Sequence, residues 1–279
     1  MKGQMTTRIA VGTATLSLLL LLGAPDATAD DDLMTAVKEM AEQVKEHKSA
    51  GDITALTADV KAVEALYKRC ATDKKACKAV VKVLGNMTRT AKQESEARVI
   101  EAALLALGRI GHPDGAKYIA TYLKQPKAKD VPPQLLSALK AAKELRSDTH
   151  VKSLLKLVEK SKVTAVALGS MEALSNFGHN TRTREMILER LVKTVLKDKP
   201  GTRPNDRSGA NTGNSDPVHV PYSYGGPTGR WNALSPNLPK VLNALTGESF
   251  GTAEEWMGAL DAYKKDLSAL FSNKDLEEE

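Results

Sequence analysis

The stretch Ala103-Leu104-Leu105-Ala106-Leu107-Gly108-Arg109-Ile110-Gly111-His112-Pro113-Asp114 decides how this chain folds. Within the segment from Glu96 to Gln125, Val99, Ala102, Ala103, Ala106, Leu107 and Ile110 recur at steps of three and four, the period of one helix face. Gly111-His112-Pro113-Asp114 then breaks the pattern, since Gly takes positive φ freely and Pro cannot continue a helix. Beyond the break, Ala116, Ile119, Ala120 and Leu123 resume the helical period, and a polar linker runs from Gln125 to Asp130. The segment reads as a helical hairpin.

The plan recurs twice. Leu135, Leu139, Ala142 and Leu145 precede a turn at Arg146 to Thr149, with Val151, Leu154, Leu155 and Val158 after it. Val166, Met171, Leu174 and Phe177 precede Gly178-His179-Asn180, with Ile187, Leu188, Leu191 and Val195 after it. Ile110, Leu145 and Phe177 are spaced by 35 and 32 residues, as are Leu104, Leu139 and Met171. One hairpin cannot cover its own apolar face, whereas stacked hairpins share a continuous core. The expected fold is therefore all-α, an α-solenoid of stacked hairpins.

Residues 103–114 resemble the first helix and turn of HEAT-like repeats, including the PBS-lyase-like subgroup, in their small-and-leucine run ending in Gly-x-Ile-Gly before a short polar turn. The resemblance covers residues 95–198, and residues 33–90 more loosely. It implies a right-handed superhelix and use in protein binding and assembly. Lys143-Glu144-Leu145-Arg146 stands where the first repeat has Gly108-Arg109-Ile110-Gly111, a departure that predicts a wider second turn. Arg230-Trp231-Asn232, Leu242 to Gly247, Phe250 and Trp256 resemble the C-terminal segment of exported bacterial HEAT-repeat proteins.

Upstream, Leu33, Val37, Met40 and Val44 form one stripe, and Ile53, Leu56, Val60, Val63 and Tyr67 another. A third helix is predicted from about Lys75 to Met87, with Val80, Val81 and Leu84 inward. Residues 1–29 read as a signal peptide. Lys2 and Arg8 precede an apolar run ending at Leu18 to Leu22, and Ala27-Thr28-Ala29 offers a small-x-small cleavage site before Asp30. Export to the periplasm or beyond makes a Cys70–Cys77 disulfide the expected state of the two cysteines, closing a helical turn for about 2–3 kcal/mol.

After the repeat region, 30–198, the composition shifts to Pro, Gly, Ser, Asn and Thr, and residues 199–232 read as a long loop. Residues 233–272 read as a capping helical pair. Ser235-Pro236 is its expected N-cap and first position, Gly247 its stop, and Thr252-Ala253-Glu254-Glu255 a capping box. Trp256, Leu260, Tyr263, Leu267 and Leu270 form the inward stripe of the last helix, and residues 273–279 an acidic tail.

The chain has 279 residues with 40 Lys and Arg, 34 Asp and Glu and a formal charge of +6. The charges are interspersed, which argues against nucleic acid as the partner. No Gly-x-Ser-x-Gly, His-Glu-x-x-His or phosphate-cradling Gly-rich loop occurs. The sequence thus implies no catalytic residue, cofactor or metal. His112, His150 and His179 read as exposed turn residues rather than one metal site, since equivalent positions of stacked repeats lie about 8–10 Å apart.

The expected role is a non-enzymatic scaffold for a protein or peptide, using the concave solenoid face, the 199–232 loop, or both. Candidate contact residues of that region are Arg203, Arg207, His219, Tyr222, Tyr224, Arg230 and Trp231; in the other reading the loop covers the last hairpin, with Tyr222, Tyr224 and Trp231 as packing anchors. Two alternatives stand beside it. The PBS-lyase-like name suggests an enzyme acting on a prosthetic group. Lys152, Lys156 and Lys160 suggest a protein that binds anionic envelope polymers.

Overall fold

The computed structural model describes residues 29–70, 73–89, 96–124, 133–177, 180–200 and 227–263. Residues 1–28 of the expected signal peptide, the acidic residues 273–279, and Arg203, Arg207, His219, Tyr222, Tyr224 and His179 lie outside them, as do Leu267 and Leu270. Among the described residues the chain is all-helical and has no strand. The helices are α1 (Ala29–Ala50), α2 (Ile53–Arg69), α3 (Lys74–Met87), α4 (Ala97–Ile110), α5 (Ala116–Leu123) and α6 (Pro133–Leu145). They continue with α7 (Val151–Lys160), α8 (Thr164–Leu174), α9 (Thr181–Leu196), α10 (Pro227–Leu234), α11 (Leu238–Thr246) and α12 (Ala253–Ala262). No helix among the described residues is long and apolar enough to cross a membrane.

The helices pack in order. α2 meets α4, α4 meets α6 and α6 meets α8, while α5 meets α7, α7 meets α9 and α9 meets α12. Cross-contacts from α3 to α4, α5 to α6 and α7 to α8 join the two rows. One apolar cluster runs through the whole set, from Leu33 of α1 to Ala259 of α12. Leu104 of α4, Leu139 of α6 and Met171 of α8, spaced by 35 and 32 residues, are all buried. α4 is buried on more than the predicted face, because Ile100 and Leu104 also find neighbours.

Small residues set the closest approach. A Cβ on Gly108 would lie 2.6 Å from the Ala141 Cα, so α4 and α6 touch backbone to backbone. Charged pairs tie the row at its surface. Arg109 forks onto Glu64, with Nε donating to Oε1 at 2.8 Å and Nη2 to Oε2 at 2.7 Å. This hydrogen bond outweighs burial and holds the Glu64 carboxyl below its ordinary pKa. Lys143 of α6 pairs with Glu172 of α8 through a single Nζ–Oε1 contact.

The second turn is not wider than the first. Gly111 ends α4 at φ 70, and a 3₁₀ turn, Pro113–Gly115, leads into α5. Arg146 takes the same left-handed place at φ 53, and the 3₁₀ turn Asp148–His150 leads into α7. The Arg146 amide donates to the Ala142 carbonyl at 3.0 Å, which closes the helix as glycine would. Asn180 caps α9 by accepting from the Thr183 amide.

The C-terminal part differs from expectation in three ways. Residues 227–232, assigned to the loop, begin α10. Ser235 is not a helix cap, because Ser235–Asn237 is a 3₁₀ turn that carries α10 into α11 without a break. Tyr263 does not join the inward stripe and is 43% exposed, since it follows the last turn of α12. The capping box at Thr252 and Glu255 is present, and Gly247 stops α11 at φ 80. Asn243 organises the pair. Its Oδ1 accepts from Trp256 Nε1 at 3.0 Å and from the Phe250 amide at 3.3 Å, and its Nδ2 donates to the Phe250 carbonyl. Phe250 packs edge-on against the buried Trp256 ring.

Candidate interaction surfaces

Arg230 and Trp231 are the described members of the proposed contact set, and both are engaged by the chain itself. Arg230 donates to the Val158 and Ser161 carbonyls at the end of α7, where the helix leaves acceptors unpaired. Its Nε lies 2.7 Å from Asp198 Oδ2, and both side chains are 12% exposed. Arg230 therefore clamps α10 onto α7 and the residues after α9. Trp231 is half-buried against the core, with the Lys199 ammonium over its ring and Lys199 paired to Glu254 at 3.1 Å.

The histidines separate. His112 caps the 3₁₀ turn, its Nδ1 accepting from the Asp114 amide at 3.1 Å, and its ring stands edge-on to Tyr67. His150 is not an exposed turn residue. It is fully buried, with Nε2 donating to the Ala116 carbonyl at 3.0 Å. It lies 35 residues after Gly115, and its ring reaches the start of α5. Burial lowers its pKa, more than the Ala116 hydrogen bond raises it. Among the described residues no group of three His, Cys, Asp or Glu side chains converges to hold a metal ion.

A polar cluster that the sequence did not suggest closes the first hairpin. Asp59 of α2 is buried and accepts from Gln43 Nε2 at 2.9 Å and from His47 Nδ1 at 2.7 Å, both on α1. A carboxylate that orients an imidazole is half of a general-base arrangement. No Ser, Thr or Cys among the described residues hydrogen-bonds to this pair. Its partners satisfy a buried charge.

Cys70 and Cys77 are buried free thiols with their sulfurs 2.9 Å apart. Cys77 donates to the Cys70 carbonyl, and burial with the neighbouring thiol pushes the Cys70 pKa up. α3 begins at Lys74, so Cys77 sits inside its first turn.

Two open grooves carry charge. The first, of about 490 Å³, lies between α6 and α8 and mixes Lys140, Lys143 and Arg146 with Glu144 and Glu172. The second, also about 490 Å³, lies along α3 and α5. Lys75, Lys78 and Lys82 of α3, Arg89 just beyond it and Lys117 of α5 line its walls, and all five are exposed. Asp114 is its acid, 3.7 Å from Lys78. Met34, Ala79, Val81 and the Tyr118 ring form an apolar floor.

The floor exists because Gly85 has no side chain. A Cβ there would fall 2.1 Å from the Tyr118 ring, so the ring lies on bare α3 backbone. Arg89 and Lys117 sit 5.2 and 5.0 Å from its centroid. One wall of the groove was visible in the sequence. Lys75, Lys78, Lys82, Asn86 and Arg89 step by three and four along one helix face.

No family model, curated protein or solved structure matches the chain.

Proposed function

We propose that this chain is a non-enzymatic protein-interaction scaffold, an exported HEAT-like α-solenoid that presents grooves and a long loop to a protein or peptide partner. The single observation that carries the reading is the sequential packing of α2, α4, α6 and α8 beside α5, α7, α9 and α12 around one continuous core. Such an arrangement leaves a long surface of repeated helix faces, which suits extended contacts with another chain. The signal-like residues 1–29 support export, and export favours oxidation of Cys70 and Cys77 to a disulfide. The HEAT-like stretch at residues 103–114 supports the superhelix.

A pull-down from native envelope and culture-medium extracts tests the reading. The mature protein is compared with a variant whose residues 201–226 are replaced by a short linker, which leaves the Arg230 clamp intact. A specific partner retained by the intact protein supports the scaffold. Its loss in the variant, at unchanged helicity, assigns binding to the loop that carries Arg203, Arg207, His219, Tyr222 and Tyr224. Retention by both assigns it to the helical surface. No partner with either protein overturns the proposal.

A further inference from the structure

We infer that the groove along α3 and α5 is a docking site for an acidic peptide segment of a partner protein, one that alternates carboxylates with apolar side chains. The inference rests on the scaffold reading and names the chemistry of its partner. Five cations face one acid in this groove, although the whole chain carries only +6. The positive charge is therefore concentrated here. Lys75 and Lys82 make no ion pair among the described residues, and Lys78, 70% exposed, meets Asp114 only at 3.7 Å.

The shape adds a second constraint. The cations from Lys75 to Arg89 follow α3 for about 20 Å, at 1.5 Å per residue. That distance equals about six residues of extended peptide. Between the α3 row and Lys117 runs the apolar floor of Met34, Ala79 and Val81, with the Tyr118 ring held between two cations. A bare polyanion would leave the half-buried part of that floor, Met34 and Ala79, in water. A peptide with Leu or Val between its carboxylates covers it and pairs the walls at the same time. The wall is mostly lysine and the one aromatic ring is buried, so stacked bases find no exposed platform.

The test uses the full mature chain and a labelled probe, acetyl-Glu-Leu-Glu-Leu-Glu-Leu-Glu, read by fluorescence anisotropy at fixed moderate salt. Two variants carry the same change of charge: Lys75→Glu with Lys78→Glu and Lys82→Glu in the groove, and Lys152→Glu with Lys156→Glu and Lys160→Glu on α7. Three reversed contacts in one site weaken the probe by about tenfold or more, and three on α7 by less than about twofold. A second probe with Ser in place of Leu binds at least about threefold more weakly.

Equal losses in both variants would mean diffuse attraction and overturn the site. Equal binding of the Leu and Ser probes, or groove-dependent binding of polyphosphate alone, would overturn the peptide class. Salt-sensitive self-association that disappears on removal of residues 275–279 would make a second copy the occupant and overturn the partner peptide. No binding of the probe, beside a pulled-down partner that the groove variant still retains, would sink this inference and leave the scaffold standing. No partner in that experiment sinks the scaffold itself.

Discussion

Gly108 of α4 rests against Ala141 of α6 so closely that a methyl group on Gly108 would lie 2.6 Å from the Ala141 Cα. The atom it meets is backbone, so no rotamer change relieves the clash. Gly108→Ala is expected to destabilise by about 1–3 kcal/mol, the range for overpacking a tight contact. Gly258→Ala in α12 is the matched opposite, since an added Cβ meets nothing within 4 Å. It gains helix propensity of up to about 1 kcal/mol. Thermal unfolding followed by far-ultraviolet circular dichroism checks both. A neutral Gly108→Ala would mean that α4 and α6 are farther apart than described.

Arg230, one of the candidate contact residues, joins three parts of the chain. Arg230→Ala leaves Asp198 without its guanidinium and uncovers the Val158 and Ser161 carbonyls. The expected loss is roughly 2–4 kcal/mol, since the Asp198 carboxylate loses its guanidinium and two helix-end carbonyls lose their donors. Arg230→Lys is not expected to restore more than part of it, because one ammonium cannot reach a carboxylate and two carbonyls in the planar fork. Urea denaturation of the three proteins measures this. Full rescue by lysine would show that charge alone matters.

Helices were legible because apolar period and breakers agree along the chain. Val37, Met40 and Val44, or Leu154, Leu155 and Val158, face the core as their spacing requires. What escaped the sequence depends on contacts between distant residues. His150 looks like a polar turn residue, and only the stacking of α5 on α7 buries it. Arg146 takes a glycine-like backbone without being glycine, so the second turn keeps its length. Arg230 lies at the edge of a loop composition, yet the carbonyls it serves are about 70 residues earlier in the chain. The basic groove needed α5 beside α3, because the lysine row alone reads as a solvated helix face.

The two cysteines give a redox prediction. Each is buried, and burial keeps Cys70 protonated, so alkylation of the folded reduced protein is expected to be slow and to become fast on unfolding. Exchange with a disulfide oxidant during folding takes two protons and two electrons from the thiols and leaves the oxidant as a dithiol. The mature chain recovered through an export route is then two hydrogens lighter by intact mass than the same mature chain made in a reducing cytosol. The closed form is more stable by about 2–3 kcal/mol in a denaturant titration. Identical masses from the two routes would refute the disulfide.

His150 gives a pH prediction with a definite sign. It is buried with Nε2 donating to the Ala116 carbonyl and with Nδ1 unpartnered among the described residues, an arrangement that accepts no proton easily. Its folded pKa is therefore depressed below the ordinary value of about 6.5. The unfolded chain binds a proton there at about pH 6.5 and the folded chain does not. Stability is thus full above that value, falls as pH drops below it, and levels off once the folded state also protonates. The slope attributable to this one group is at most about 1.4 kcal/mol per pH unit. His150→Gln removes the titration while keeping a donor, so it is less stable near pH 8 but loses less on going to about pH 5.5. Urea midpoints at the two pH values for both proteins decide it, and parallel losses would place the acid sensitivity in other groups.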